Sequence, residues 1–437
     1  MQWSKYNYTF YSKEFGYLLY NALSNVFIQI IDEDVPHIED LKKNPENILN
    51  FKEKQFFFDS KIIVENDLDE IAKIKVENTL NRYNKEHLTI TIAPTLDCNF
   101  HCTYCYEESN KNTYMTSETE EQIVDFIKSF KNLKHIHICW YGGEPLLAID
   151  IIERLTKNIT TLEIPFSASM VTNGFLLNEE NINKIKELNI KSIQVTLDGL
   201  EETHNKRRKH KNGQNSFKQI VDNLVLLFSI NSDISVSVRV NIDEHNKNEF
   251  YPLLSYIRSM FSNVPSNRIV VYPAFVENIG VACNKEDCMV SAKAKATYLI
   301  DMFKKDKVYC MRFFPLLTIN NCMARSINSY VISYDGKLYK CWNDIGIEEK
   351  SVGSVFTKGI NTNLLARYLK GADNLEDEKC NTCFMFPTCN GGCPYLRIAN
   401  LYDNTDHDYC HIAKENLEQF LEIHYVMRKE FPNNKNI

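Results

Sequence analysis

From about residue 88 to 305 the hydrophobic pattern changes period repeatedly. Short runs rich in β-branched residues (LTITIAPT, HIHICWYG, SASMVTNG, SIQVTLDG, SVSVRVNID, RIVVYPAF) alternate with longer stretches whose apolar positions recur at helical spacing (SETEEQIVDFIKSFKN, LLAIDIIERLTKNI, NEENINKIKELN, SFKQIVDNLVLLF, FYPLLSYIRSMF, AKATYLIDMFKK). The pattern predicts six strand-helix units. Regular alternation of this kind implies an α/β fold with parallel strands joined by crossover helices, as an open doubly wound sheet or as a full or partial barrel. No other internal repeat and no low-complexity segment is visible.

The flanks read differently. Residues 1–85 carry aromatic alternation (YNYTFY, VFIQII), an acidic helix-like stretch (DEDVPHIEDLKK) and the run FFFDSKIIV, which together predict a small α+β domain. Residues 86–308 hold the strand-helix units, and 309–437 form a third, cysteine-dense domain. A length of 437 residues agrees with two or three units at roughly 150 residues per domain. The composition is that of a folded globular chain, with few glycines and prolines for long linkers.

A net charge of −7 gives no strong field toward nucleic acid or an anionic membrane, so neither is an expected partner. The first thirty residues contain Lys5, Lys13 and Glu14 with no unbroken apolar run, so no secretory signal is expected. No stretch approaches the ~20 apolar residues of a membrane span, and a cytoplasmic protein is the expectation. In that compartment the 14 cysteines are not expected to form disulfides, and those that cluster are expected to bind metal.

Cys98, Cys102 and Cys105 form a C-x3-C-x2-C triplet directly after the first strand of the alternating region. A four-iron cluster normally takes four thiolates, so a triplet leaves one iron open to a ligand. A structural zinc site is the other reading, but it wants four ligands, commonly in cysteine pairs, and no local fourth partner is evident. Further motifs follow the ends of later strands: Gly142-Gly143-Glu144, Thr172-Asn173-Gly174, and Asp198-Gly199 with His204 and Arg208 downstream. Each alone reads as turn chemistry, and the run from Lys206 to Lys209 alone reads as a solvated basic face. Their shared placement after successive strands is where a barrel carries its active-site loops.

With Tyr104 before its last cysteine, the triplet resembles the signature loop of radical S-adenosylmethionine (radical SAM) enzymes, and the resemblance extends over most of the chain. It implies a partial (β/α)6 TIM-like barrel and a catalytic [4Fe-4S] cluster on Cys98, Cys102 and Cys105. In that family the open iron chelates S-adenosylmethionine, and one electron cleaves it to a 5′-deoxyadenosyl radical. The resemblance implies that Tyr104 packs near the adenine and that Gly142, Gly143 and Glu144 hold the methionine amino group. Asn173, Asp198 and Arg208 would complete cofactor binding, an arginine there suiting the methionine carboxylate.

A second series, Cys322, Cys341, Cys380, Cys383, Cys389, Cys393 and Cys410, resembles the seven-cysteine pattern of the SPASM domain, which carries auxiliary iron-sulfur clusters in enzymes acting on peptides and proteins. The resemblance implies a first auxiliary cluster on Cys322, Cys341 and Cys393, with Cys310 as candidate fourth ligand, and a second on Cys380, Cys383, Cys389 and Cys410. Cys139, Cys283 and Cys288 read as small buried or free thiols.

The expected activity is that of an oxidoreductase that abstracts hydrogen from a residue of a ribosomally made peptide and installs a thioether or other crosslink. Its implied partners are a leader-bearing peptide and a one-electron donor such as flavodoxin or ferredoxin. In such maturases a winged-helix-like N-terminal unit captures the leader as an added strand, and VFIQII or FFFDSKIIV would supply the edge. The unit also reads as a plain packing extension of the barrel. An anaerobic sulfatase maturase, making formylglycine from Cys or Ser, is the competing enzyme. Such maturases resemble one another in an Asp directly after the cysteine matched by Cys341, where this chain has Trp342, with Asp344 two positions later. A non-catalytic, zinc-binding peptide adaptor is the reading from another class.

Overall fold

In the computed structural model the described residues are 1–50, 52–66, 69–105, 113–231, 233–276, 288, 291–306, 308, 313–319, 322–357 and 359–431. They fall into two compact units, one made of Met1–Tyr83, Ala296–Cys322 and Lys370–Ile437, the other of Asn84–Lys295 and Met323–Leu369.

The six expected strands all form in the second unit: β1 (His87–Ile92), β2 (His135–Trp140), β3 (Phe166–Thr172), β4 (Ile190–Thr196), β5 (Ser235–Ile242) and β6 (Ile269–Phe275). The expected helices follow them as α1 (Ser117–Ser129), α2 (Ile149–Thr160), α3 (Glu179–Glu187), α4 (Ser216–Ile230), α5 (Phe250–Met260) and α6 (Ala292–Asp306), which from Ala296 onward is counted with the first unit. Side chains cap several N-termini: Thr116 accepts from the Thr119 amide, Asn178 from Asn181 and Asn215 from Lys218.

Strands β1 to β6 lie side by side in chain order, all parallel. A doubly wound sheet reverses its order at a switch point. This one never reverses, so successive right-handed crossovers wind it in one direction and make it a partial barrel. The barrel stays open because the free edge of β1 pairs instead with Ser329–Ile332, in parallel, followed by Lys337–Tyr339 and Gly353–Ser354 in antiparallel.

Burial follows the pleat. Ile136 and Ile138 on β2, Ile193 and Val195 on β4, and Val236, Val238 and Val240 on β5 are buried. The alternate positions His137, Ser169, Gln194, Ser237 and Arg239 are half-buried, so one face carries the apolar core and the other a polar lining. Each buried aliphatic side chain contributes roughly 1.5–3 kcal/mol.

The other unit has a three-stranded antiparallel sheet, Asn7–Ser12, Gly16–Asn21 and Val26–Ile30, and a strand pair of Gln2–Trp3 with Ile63–Val64. Its core joins Leu19, Ile30, Ile38, Leu41, Ile48, Phe57 and Ile63. The run FFFDSKIIV is not one strand: its phenylalanines lie on the helix Lys54–Asp59, where Phe57 reaches that core, and only Ile63–Val64 is extended. Within the same unit Tyr20 packs edge-on against Phe314 and His424, at 5.5 and 5.8 Å between ring centroids. Arg82, 2% exposed, donates to Asp373 at 2.7 Å, Asn374 at 2.8 Å and Asn390 at 3.3 Å. Among the described residues no helix is long and apolar enough to cross a membrane.

Removing one member of a buried ion pair leaves the other charge desolvated, at a cost of about 3–5 kcal/mol. Arg82→Met should therefore lower the stability of this unit by that amount in denaturant unfolding of the full chain. A loss below about 1 kcal/mol would contradict the assigned role of the pair.

Candidate active site

The cysteine loop starts where β1 ends, and three sets of contacts fix it. Beneath it, Ala93 and Leu96 join Val331, Tyr339 and Ile345 in an apolar cluster. Beside it, Phe100–Cys102 pairs antiparallel with Arg208–His210, matching Cys102 with Arg208, and flanking bonds run from the Thr103 amide to Arg207 O and from the Lys211 amide to Asn99 O. Behind it lies the turn after β2. The Gly143 amide donates to Thr95 O at 3.2 Å and the Glu144 amide to Asp97 O at 2.9 Å. A Cβ on Gly142, which has φ +124°, would collide with Thr95 O, and one on Gly143 would collide with the carbonyls of Leu96 and Asp97. The two glycines are what allow this backbone approach.

Glu144 then joins the turn to the end of β3. Its carboxylate accepts from Thr172 Oγ1 at 2.7 Å, the Asn173 amide at 2.7 Å and the Leu146 amide at 3.0 Å, and it is fully buried, which raises its pKa. Asn173 reaches back to the cysteine loop, donating to Asn99 Oδ1 at 2.6 Å and approaching Cys98 Sγ at 3.9 Å.

A second buried network lies under Tyr104. Its hydroxyl donates to Asp198 and accepts from Arg208 at 2.7 Å and Asn241 at 3.0 Å. Asp198 also accepts from the Asn241 amide at 3.0 Å, and His204 accepts from the Asp198 amide at 3.3 Å. Arg207 pairs with Asp243 at 2.6 Å and lies 5.2 Å from the Tyr104 ring centroid. The basic run is thus divided, with Arg207 and Arg208 buried and Lys206 and Lys209 exposed. Burial keeps His204 well below the usual histidine range and raises the Tyr104 hydroxyl. Burial also works against the Arg208 charge, but Cys102, Tyr104 and Asp198 restore it and hold its pKa well above the usual arginine value.

These loops enclose a cavity of about 550 Å³ at the carboxyl ends of the strands, within the ~300–1,000 Å³ usual for small-molecule sites. Cys98, Cys102 and Cys105 all line it, with Tyr104, Gly142, Gly143, Asn173 and Arg208. Glu144 and Asp198 stand behind the wall and support it. The opposite side consists of Gln194 and Thr196 on β4, Arg239 and Asn241 on β5, Phe275 on β6, and Trp342 with Asn343. None of the described lining residues is an Asp or Glu. Trp342 packs on Tyr141 with ring centroids 4.9 Å apart. Asp344 does not line the cavity; it is 1% exposed and accepts from Tyr368.

The wall residues Arg239, Asn241, Gln194 and Thr196, and the support residue Arg207, escaped the sequence reading. Their only signal was position at the ends of β4 and β5 or inside a basic run. Burial, reinforced by the Glu144 carboxylate, pushes the Cys98 thiol up to about 12, and burial raises Cys102 against the pull of Arg208. Two buried donors beside the thiols, Arg208 Nε and Asn99 Nδ2, have no partner. Three convergent thiols and an unfilled guanidinium edge fit an iron-sulfur cluster and the carboxylate of S-adenosylmethionine.

Residues 92–257 match the radical SAM superfamily. The chain carries a radical SAM domain. The cysteine-type anaerobic sulfatase-maturating enzyme of Clostridium novyi is 26% identical over 76% of this chain and 95% of that protein. The serine-type enzyme of Bacteroides thetaiotaomicron is 24% identical over 70% of this chain and 82% of that protein. Among solved structures, native anSMEcpe with bound AdoMet aligns with TM-score 0.62 at 19% identity, covering 79% of this chain and 100% of that one. Streptococcus suis SuiB bound to S-adenosylmethionine aligns with TM-score 0.51 at 14% identity, covering 90% and 95%. At these identities the structures establish the fold. Radical SAM enzymes use a [4Fe-4S] cluster and S-adenosylmethionine, the two cofactors the cavity fits.

In the other unit, Cys380, Cys383, Cys389 and Cys410 line one cavity of about 70 Å³. Burial pushes the Cys380 thiol up to about 11, eased by Arg397. Cys322 and Cys393 belong to this unit, Cys341 to the radical SAM unit, and Cys310 lies outside the described residues, as does Cys283. Cys139 is buried and free as expected, whereas Cys288 is buried but disulfide-bonded rather than a free thiol. Among the described residues no three His, Cys, Asp or Glu side chains are grouped to hold a single metal ion.

Gly143→Ala must displace two backbone carbonyls of the cysteine loop. Anaerobically reconstituted Gly143→Ala protein should lose about four irons per chain, the content of one cluster. Undiminished iron with an unchanged cluster spectrum would show that the close approach is dispensable.

Proposed function

We propose that this radical SAM protein matures a ribosomally synthesised peptide, abstracting hydrogen from one of its residues to install a thioether or other crosslink. The cluster and S-adenosylmethionine supply the radical-generating chemistry. This chain's own residues position and shield: Cys98, Cys102 and Cys105 ligate, Arg208 and Asn173 orient the cofactor, and Phe275, Trp342 and Tyr141 form apolar walls that keep water from the reacting atoms. An external one-electron donor such as flavodoxin or ferredoxin completes the cycle.

The observation that carries this reading is Trp342. A sulfatase maturase resembles its relatives in a carboxylate base after the cysteine matched by Cys341. Here that position holds an indole, and Asp344 is turned into the interior against Tyr368. The N-terminal unit supports a peptide substrate in the same sense, because Val26–Ile30 is an outer strand of its sheet and offers an edge for a leader peptide. We assign the cysteine-rich region from 309 onward to SPASM-type auxiliary clusters.

The sulfatase reading has its own support in the near full-length similarity to the Clostridium novyi enzyme. Anaerobic incubation with a cysteine-containing precursor peptide encoded beside the gene, followed by mass spectrometry, separates the two. Loss of a pair of hydrogens without an aldehyde is the expected product. Formylglycine made from a sulfatase-derived peptide, with the precursor untouched, would reverse the assignment. Colourless protein that holds zinc after anaerobic purification would instead favour the peptide adaptor.

A further inference from the structure

Arg397 lies on the helix Pro394–Tyr402 and is 4% exposed. Its guanidinium is engaged along its whole edge: Nε donates to Gly391 O at 2.7 Å, Nη1 to Asp377 Oδ2 at 2.9 Å, and Nη2 to Cys380 Sγ at 2.8 Å. The Tyr409 ring covers its face, with its centroid 4.3 Å from Cζ. The turn that supplies the Gly391 carbonyl has no slack. A Cβ on Gly391 would run into Asn374, and one on Gly392 into the Tyr409 carbonyl, and both glycines have positive φ, +76° and +70°.

Burying a guanidinium costs several kcal/mol of lost hydration, and an apolar side chain of similar length would fill the same space without that cost. What only the arginine adds is a fixed positive charge and a directed donor at one sulfur of the four that surround the cavity of Cys380, Cys383, Cys389 and Cys410. Electron density added to an iron-sulfur cluster is shared by its thiolates, and a donor or cation at a ligating sulfur favours the reduced state. Asp377 holds the fork in place, and Tyr409 prevents it from swinging away.

We propose that Arg397 is a positioning residue for an auxiliary cluster on these four cysteines, fixing the Cys380 thiolate through Nη2 and raising the reduction potential of that cluster. The proposal rests on the iron-sulfur reading of the four cysteines. It goes beyond that reading in making one sulfur and one cation the source of the potential.

The test uses full-length protein carrying Cys98→Ala, Cys102→Ala and Cys105→Ala, so that only auxiliary clusters titrate. Arg397→Met and Arg397→Lys are added to this parent, and each protein is reconstituted anaerobically, assayed for iron and labile sulfide, and titrated electrochemically with detection by electron paramagnetic resonance. Arg397→Met should move one midpoint to lower potential and leave any other unchanged, and Arg397→Lys, which keeps a charge, should move it less. Iron lost in Arg397→Met but retained in Arg397→Lys also supports the positioning role. Parent midpoints and spectra in both variants at full iron content overturn the proposal, as does equal loss of iron in both. The underlying reading is checked separately. If Cys380→Ala with Cys383→Ala removes no iron from the parent, the four cysteines hold no cluster and the proposal falls with that reading.

Discussion

The backbone of Gly142 and Gly143 lies against the carbonyls of Thr95, Leu96 and Asp97 so closely that neither position has room for a Cβ. The arrangement of the candidate active site follows from this approach. It seats the first residues of the cysteine loop on the end of β2, and Glu144 carries the connection on to β3 through the two hydrogen bonds it accepts from Thr172 Oγ1 and the Asn173 amide. Three neighbouring strand ends thereby share one framework, and the thiols of Cys98, Cys102 and Cys105 face a single cavity. A loop that must present three thiols together needs such support, because ordering eight residues costs on the order of 1–2 kcal/mol each in backbone entropy.

Electrostatics complete the other side. Two buried arginines in a dry interior would be prohibitive alone, but Arg207 is paired with Asp243, and Arg208 shares Tyr104 with Asp198. The network leaves Arg208 Nε without a partner, beside thiols whose charged forms burial disfavours until a metal replaces the proton. Both features fit a ligand that brings metal and carboxylate together. Across from it, Arg239 donates through Nε to Asn241 at 2.7 Å, and the described wall contains no carboxylate.

The alternation of six strand and six helix patterns was legible because each element buries one face at its own period, and the motifs after β1 to β4 were legible because closely spaced glycines and cysteines stand out where strands end. Four kinds of information were not. The strand Ser329–Ile332 joins β1 from far along the chain, and no local period reports that pairing. The first compact unit draws on three separate stretches, joined by contacts such as Arg82 with Asp373 and Tyr20 with Phe314. The phenylalanines of FFFDSKIIV have strong strand preference yet lie on a helix, where burial of Phe57 against Leu41 and Ile48 outweighs propensity. The basic run from Lys206 to Lys209 looked like a solvated face, but pairing of Arg208–His210 with Phe100–Cys102 turns its two arginines inward. Glu144 and Asp198 stood out in the sequence through their motifs, whereas their position behind the wall depends on partners that only the fold brings near.

The chemistry proposed for this site depends on one ligation, in which Cys98, Cys102 and Cys105 hold a cluster with one iron open to S-adenosylmethionine. Its most direct test is the electron paramagnetic resonance spectrum of the reduced, reconstituted full chain before and after addition of S-adenosylmethionine, with 5′-deoxyadenosine measured in the same sample. A cofactor-dependent change in one cluster signal and formation of 5′-deoxyadenosine are expected, both lost when the three cysteines are replaced by alanine. A spectrum indifferent to S-adenosylmethionine, in protein that carries iron at this loop and makes no 5′-deoxyadenosine, would contradict it.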